Sequence, residues 1–285
     1  MKNILVTGAG GQVGQEIQTL AGRYPLFQFN FVTHSLLDIT NEKAVSDFIT
    51  TNETDLVINC AAYTAVDKAE SEPDKAYAVN AIGANNLAKS TKKKGIPFIH
   101  ISTDFVFDGE KASPYSETDS TNALGVYAST KLEGEKLALQ ENPRTIVVRT
   151  SWVYSSFGNN FVKTMLRLGK EKPELRVVND QTGSPTYAAD LAKALLDIAD
   201  KIDSVKAYGL FHYSNSGEIT WYQFAKTILE LKDILTPVHP ITTAQFPTPA
   251  KRPKYSVFNK NKIQQVYGIH INDWKQSLKA CLEKL

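Results

Sequence analysis

Cysteine is nearly missing: Cys60 and Cys281 are the only two in 285 residues. Two thiols build no disulfide framework, and this far apart they match no metal-ligand or redox spacing. Their apolar neighbours make buried, inert thiols the expectation. Net charge is equally scarce, a formal +2, so no whole-chain field draws in nucleic acid or an anionic membrane. No run approaches the roughly 20 apolar residues of a membrane-spanning helix. The opening residues, Met1-Lys2-Asn3-Ile4-Leu5-Val6-Thr7, lack the apolar core of a secretion signal and read as a strand. What remains is a globular protein with no nucleic-acid or membrane partner, expected in the cytoplasm as a monomer or homodimer. An apolar fraction of 42% suffices for a substantial core.

Through the first half, short apolar runs alternate with helical patterns. Strands are expected at 4–7, 27–33, 56–58, 98–101 and 146–148. Helices are expected at 12–20, from Thr40-Asn41 onward, at 74–94 and at 127–139. Gly95 is placed to stop the long third helix. Such alternation implies parallel strands joined by right-handed crossovers, and hence a doubly wound α/β sheet. This domain is expected over 1–150, with about 175–200 returning to it. Past Thr150 the pattern loosens, and Pro173, Pro185, Pro237, Pro240, Pro247, Pro249 and Pro253 cut it into short pieces. Residues 151–285 are therefore read mostly as a smaller, discontinuous α/β substrate-binding lobe, with helices at 190–199, 221–231 and 274–285. No internal repeat or low-complexity segment appears.

Gly8-Ala9-Gly10-Gly11-Gln12-Val13-Gly14 lies between the first strand and the first helix. Glycines there let the backbone approach a pyrophosphate, and the helix N-terminus offers free N–H groups. The spacing Gly8, Gly11, Gly14 differs from the commoner Rossmann fingerprint, so context more than spacing carries the reading of a dinucleotide site. The second strand ends at Thr33-His34-Ser35, without the carboxylate that takes a ribose 2′-hydroxyl and repels a 2′-phosphate. That favours NADP, or use of both cofactors, with NADPH serving at least as well as NADH. Asp38, next to Ile39, either meets the adenine or caps the helix beginning near Thr40.

Tyr127 and Lys131 stand at i and i+4 on one helical face. A cation beside the phenol would lower its pKa and make Tyr127 a usable general acid. Lys131 would also bond ribose hydroxyls. Ser102-Thr103-Asp104 ends a strand at the edge where open α/β sheets bind ligands. Since strand side chains alternate, one of Ser102 and Thr103 is expected to face a substrate carbonyl and the other to satisfy backbone. Spacing does not choose between them.

Together with Ala61-Ala62-Tyr63, these motifs resemble the extended short-chain dehydrogenase/reductases, and over nearly the whole chain the dTDP-4-dehydrorhamnose reductase family. The closer match rests on Ala61-Ala62-Tyr63-Thr64-Ala65-Val66-Asp67-Lys68-Ala69-Glu70, on Ser102 to Gly109 and on Arg149-Thr150-Ser151-Trp152-Val153-Tyr154. Asp180-Gln181-Thr182-Gly183-Ser184-Pro185-Thr186 and Arg252-Pro253 extend it. The resemblance implies an NADPH-dependent oxidoreductase acting on a nucleotide-linked keto sugar, with Thr103, Tyr127 and Lys131 as the catalytic triad. It implies cofactor contacts from Gly11, Gln12 and Val13, from Asp38 and Ile39, from Ala62, Tyr63 and Thr64, and from Asn80. Asp104 and Trp152 would line the sugar site, and Arg252 would meet the diphosphate, the alternative being a solvated surface arginine.

Two departures stand out. Ala128 follows the tyrosine where relatives carry glycine. Some relatives bind magnesium through interface glutamates; Glu16 matches one position, but Asp190 stands at a second and Glu283 is out of step, so no metal is expected. The rival readings are a reductase of another nucleotide sugar and a regulatory subunit that keeps the fold without turnover.

Overall fold

The computed structural model describes residues 1–285. Strands β1 (Lys2–Thr7), β2 (Phe27–Val32), β3 (Leu56–Asn59), β4 (Phe98–Thr103), β5 (Thr145–Thr150) and β6 (Gly209–His212) form one sheet. Every pair is parallel, in the spatial order β2-β1-β3-β4-β5-β6. The helices are α1 (Gln12–Leu20), α2 (Glu42–Thr51), α3 (Val66–Ala69), α4 (Pro73–Tyr77), α5 (Ala84–Lys94), α6 (Val126–Glu141), α7 (Phe161–Glu171), α8 (Ala188–Val205), α9 (Trp221–Glu230), α10 (Asn261–Tyr267) and α11 (Trp274–Leu282). None is long and apolar enough to cross a membrane.

Alternate strand residues serve opposite faces. Ile4, Val6, Leu56, Ile58, Ile99, Ile146 and Val148 pack with Val13 and Ile17 of α1 and Leu191, Leu195 and Ile198 of α8. Leu5, Val32, Val57 and Phe98 pack the other way, with Val45 and Ile49 of α2 and Leu87 and Ala88 of α5. Burial on both faces explains why these strands read as unbroken apolar runs. After β2 the chain returns past β1 to place β3 on its far side. The crevice that opens between β1 and β3 is where such sheets bind ligands.

A second core, built from Val162, Met165, Leu175, Val177, Phe224, Ile228 and Leu278 among others, lies outside the sheet. Leu175–Val178 pairs with Val238–Ile241 there. The chain comes back to the sheet through α8 and β6, so residues 188–212 extend the first domain's layers.

The helix expected over 74–94 is interrupted. Between α4 and α5, Ala78–Gly83 widens into a π-helical turn, a feature that often marks functional positions. It lets the Asn80 side chain leave the helix: Oδ1 accepts from Tyr63 N at 2.9 Å, while Nδ2 donates to Tyr63 O and Thr130 Oγ1. It also pushes the Asn80 carbonyl against Gly134 of α6, where any Cβ would overlap the carbonyl oxygen.

Candidate active site

A cleft of about 890 Å³ opens along the C-terminal ends of β1, β3, β4 and β5. Gly8 turns the chain there with φ +66°, and a Cβ on it would lie 2.5 Å from Ala61 N. Only glycine allows the turn after β1 to touch the segment after β3. Gly11, Gln12 and Val13 border the cleft beside Ala61, Ala62, Tyr63 and Thr64. Gly14 does not. Its missing Cβ instead lets α1 pack against the turn, since a Cβ there would lie 2.6 Å from both Gly8 O and Ala9 Cα. Asn80 also stays out of the lining; it acts through the Tyr63 backbone.

At the end of β2 the hydroxyls of Thr33 and Ser35 pair at 2.9 Å, and His34 borders the cleft with Asp38 and Ile39. Asp38 is no helix cap. Asn41 caps α2 by accepting from Ala44 N, while Asp38 Oδ1 receives Thr40 N and Oγ1. Burial works against ionisation of Asp38, yet the Thr40 hydrogen bonds hold its carboxyl below the usual range.

Ser102 and Thr103 both border the cleft, and they differ in their partners. Thr103 Oγ1 accepts from Phe105 N at 3.2 Å and donates to Asp104 Oδ1 at 3.1 Å. Thr103 thus stands in the cleft wall tied to Phe105 N and to Asp104, while Ser102 Oγ is buried with no partner. Burial pushes the Asp104 carboxyl up to about 6, against hydrogen bonds that pull it down.

The start of α6 is fixed from outside. Val126 N donates to Glu70 Oε1 at 2.8 Å, a cap supplied by the segment after α3. Tyr127 follows, half-buried, with Phe105 edge-on at 5.5 Å. The expected contact between ammonium and phenol is absent. Lys131 Nζ donates to Ile101 O at 2.7 Å and lies 3.5 Å from His100 Nε2. Accordingly the phenol is not lowered: burial pushes it up to about 12, the Thr103 hydroxyl pulling down and Asp104 pushing up. Burial takes Lys131 the other way, to about 8, against the pull of Glu135 and Cys60.

Trp152, at φ +48°, stacks on Trp221 with ring centroids 3.5 Å apart and planes 9° from parallel. This left-handed backbone costs a non-glycine residue about 1–2 kcal/mol. Gly183 leaves the room its ring needs, since a Cβ there would fall 2.6 Å from the indole. Arg252 is half-buried and paired. Its guanidinium grips both oxygens of Asp67 at 3.0 and 2.7 Å and donates to Thr248 Oγ1 and Ala250 O. Arg252, Trp152, Trp221 and Phe105 also wall a second, largely apolar cavity of about 400 Å³.

A loop lies over the phosphate-binding turn. Asn160 caps α7 through Oδ1 and donates from Nδ2 to Gln12 Oε1 at 2.9 Å, while Ser155 Oγ donates to Glu16 Oε1 at 2.6 Å. Sequence reasoning missed Asn160, Phe105 and Trp221. An N-cap signal, asparagine before an apolar helix, marked Asn160, but nothing local named Gln12 as its partner. No three His, Cys, Asp or Glu side chains cluster as metal ligands. Asp190 is engaged by Asn215, Asn272 and Ser277.

The RmlD substrate binding domain model matches residues 1–285. The chain belongs to that family. A dTDP-4-dehydrorhamnose reductase of Aggregatibacter actinomycetemcomitans is 44% identical, covering 98% of this chain and 98% of its own. The crystal structure of a dTDP-4-dehydrorhamnose reductase from Clostridium acetobutylicum is similar at a TM-score of 0.94 and 46% identity, covering 99% of this chain and 98% of that one. One from Bacillus anthracis, in complex with NADP, is similar at 0.94 and 38%, covering 100% of both. The fold over the whole chain is thus shared with these solved structures.

Proposed function

We propose that this chain is an NADPH-dependent reductase that converts dTDP-4-dehydro-L-rhamnose to dTDP-L-rhamnose. The relatives named as reductases and the NADP complex of the Bacillus anthracis protein support the activity and the cofactor. The observation that carries the reading is one cleft that joins a phosphate-binding turn, a phenol with its lysine and a wall of stacked indoles.

The residues fit a dinucleotide. A Cβ on Gly11 would meet only Gly8 O, at 3.3 Å, and α1 begins with no side-chain cap, which leaves its first N–H groups for a pyrophosphate. Thr33, His34 and Ser35 put no carboxylate where a 2′-phosphate would sit. When bound, the nicotinamide supplies hydride. Tyr127 then donates its phenolic proton to the C4 oxygen, which Thr103 orients beside Asp104. A phenol raised to about 12 holds that proton at neutral pH, and a lysine near 8 remains mostly an ammonium. Lys131 turns from Ile101 O to support Tyr127 and the ribose. Gln12 and Val13 hold the pyrophosphate, and Ala62, Tyr63 and Thr64 flank the nicotinamide half. Trp152 and Trp221 hold the sugar, the smaller cavity receives the base, and Arg252 faces the diphosphate between them.

NADPH oxidation measured against a panel of dTDP- and GDP-linked 4-keto sugars tests this. Turnover is expected with the dTDP-4-keto-rhamnose substrate. Activity confined to another sugar, or none at all, overturns the assignment.

A further inference from the structure

Behind the cleft runs a chain of buried polar side chains that the proposed reaction leaves unused. Thr7 Oγ1 donates to Asn59 Oδ1 at 2.6 Å, and Ala61 N donates to the same oxygen at 3.0 Å. Asn59 Nδ2 lies 3.0 Å from His100 Nδ1, and His100 Nε2 lies 3.5 Å from Lys131 Nζ. Thr7, Asn59, His100 and Lys131 are all buried, so neighbours rather than solvent decide each proton's place.

Direction follows from one peptide group. Ala61 N–H only donates, so the Asn59 atom facing it is the carbonyl oxygen. The amide nitrogen therefore faces His100, and an NH₂ group requires a lone pair on Nδ1. Burial and the nearby Lys131 keep the imidazole neutral, its pKa well below the ordinary value. Its single proton is then on Nε2, aimed at Lys131. An Nε2–H facing an ammonium is donor against donor. The distances agree: Lys131 Nζ is 2.7 Å from Ile101 O but 3.5 Å from His100 Nε2, beyond a good hydrogen bond.

We propose that His100, locked by Asn59 as the Nε2–H tautomer, is a positioning residue that turns the Lys131 ammonium off the sheet and toward the cleft. At that resting place the ammonium keeps its bond to Ile101 O but finds no acceptor on His100. The other groups around Lys131 are Cys60 at the end of β3, Tyr127 one turn back on α6 and Glu135 one turn on. The Cys60 thiol is pushed up to about 12 by burial and carries no charge at neutral pH. Glu135 is gripped by Arg149 of β5 at 3.0 and 2.7 Å. His100 is thus the neighbour whose donor pattern changes with tautomer.

The role assigned to Lys131 rests on the reductase reading; the tautomer does not. Long-range proton–nitrogen NMR of the histidine rings, assigned by His100→Gln, is expected to show protonated Nε2 and bare Nδ1 across the neutral range. Asn59→Asp keeps the acceptor for Thr7 and Ala61 but replaces the NH₂ by an oxygen. It should move the proton to Nδ1 and make Nε2 an acceptor for Lys131. Exchanging a donor for an acceptor against an ammonium should move the alkaline limb of cofactor binding and of kcat/KM up by about one to two pH units. His100→Phe should move it the same way by less. A parent protein with protonated Nδ1 overturns the proposal, whether or not the variants fold. So does an Asn59→Asp limb that stays in place. Because tautomer and cofactor binding are read without turnover, failure of the reductase assignment is seen separately.

Discussion

Tyr127→Phe removes one oxygen and leaves the ring against Phe105, whose edge-on contact at 5.5 Å needs no hydroxyl. Thr103 keeps both its partners, Asp104 and the Phe105 N–H, so the change strands no buried polar group. Its effect on stability should stay within about 1 kcal/mol, the usual net worth of one hydrogen bond. A general acid contributes about 10²–10⁴-fold to rate, or roughly 2.7–5.5 kcal/mol of barrier. The two magnitudes separate the roles: kcat should fall at least about 100-fold while Tm scarcely moves. Cofactor affinity should also hold, since the glycine turn and Lys131 are untouched. Single-turnover stopped-flow at the NADPH absorbance, beside a thermal melt and a cofactor titration, reads all three. A variant that turns over like the parent ends the acid role. A rate loss matched by a proportionate loss of Tm would make Tyr127 a packing residue.

Arg252→Ala should raise KM for the nucleotide sugar about 10–150-fold, from the 1.5–3 kcal/mol of a charge-assisted hydrogen bond, and leave the cofactor KM unchanged in the same steady-state assay. Gly134→Ala sets a methyl against Asn80 O; calorimetry should show a loss of about 1–3 kcal/mol, with weaker cofactor binding because Asn80 braces Tyr63. Asp104→Asn should stabilise the protein above pH 6 and not below about pH 4. The native carboxyl, raised to about 6 from 3.8, binds its proton more tightly than the unfolded one, so ionisation costs the fold up to about 3 kcal/mol at higher pH. Melts across pH check the sign.

The sheet was legible wherever period and punctuation agreed. Apolar runs such as Ile4–Val6 and Leu56–Ile58 announced strands buried on both faces, and Gly8 and Gly95 stood where a positive φ was needed. The family motifs were legible too, as were most residues that line the cleft. Features made by distant pairs were not. Arg252 and Asp67 are 185 residues apart, Asn160 and Gln12 are 148 apart, and no local pattern couples them. The π-helical turn escaped because Ala78–Gly83 has the composition of any buried helix; the room for its displaced Asn80 carbonyl comes from Gly134, in another helix. Lys131 shows a further limit. Spacing placed it beside Tyr127 on α6 but did not disclose that a carbonyl on β4 would hold its ammonium.

The chain's three tryptophans are Trp152, Trp221 and Trp274. Two are stacked at the cleft, and the third packs beside the second core; none sits within the parallel sheet. Indole emission from this protein therefore reports the second core and the cleft but not the interior of the sheet, and the near-parallel pair should give a coupled near-ultraviolet dichroism sensitive to whatever enters between lobe and sheet. A melt followed by tryptophan light tracks one core, whereas peptide dichroism tracks both. Any gap between the two curves measures how far the cores come apart separately.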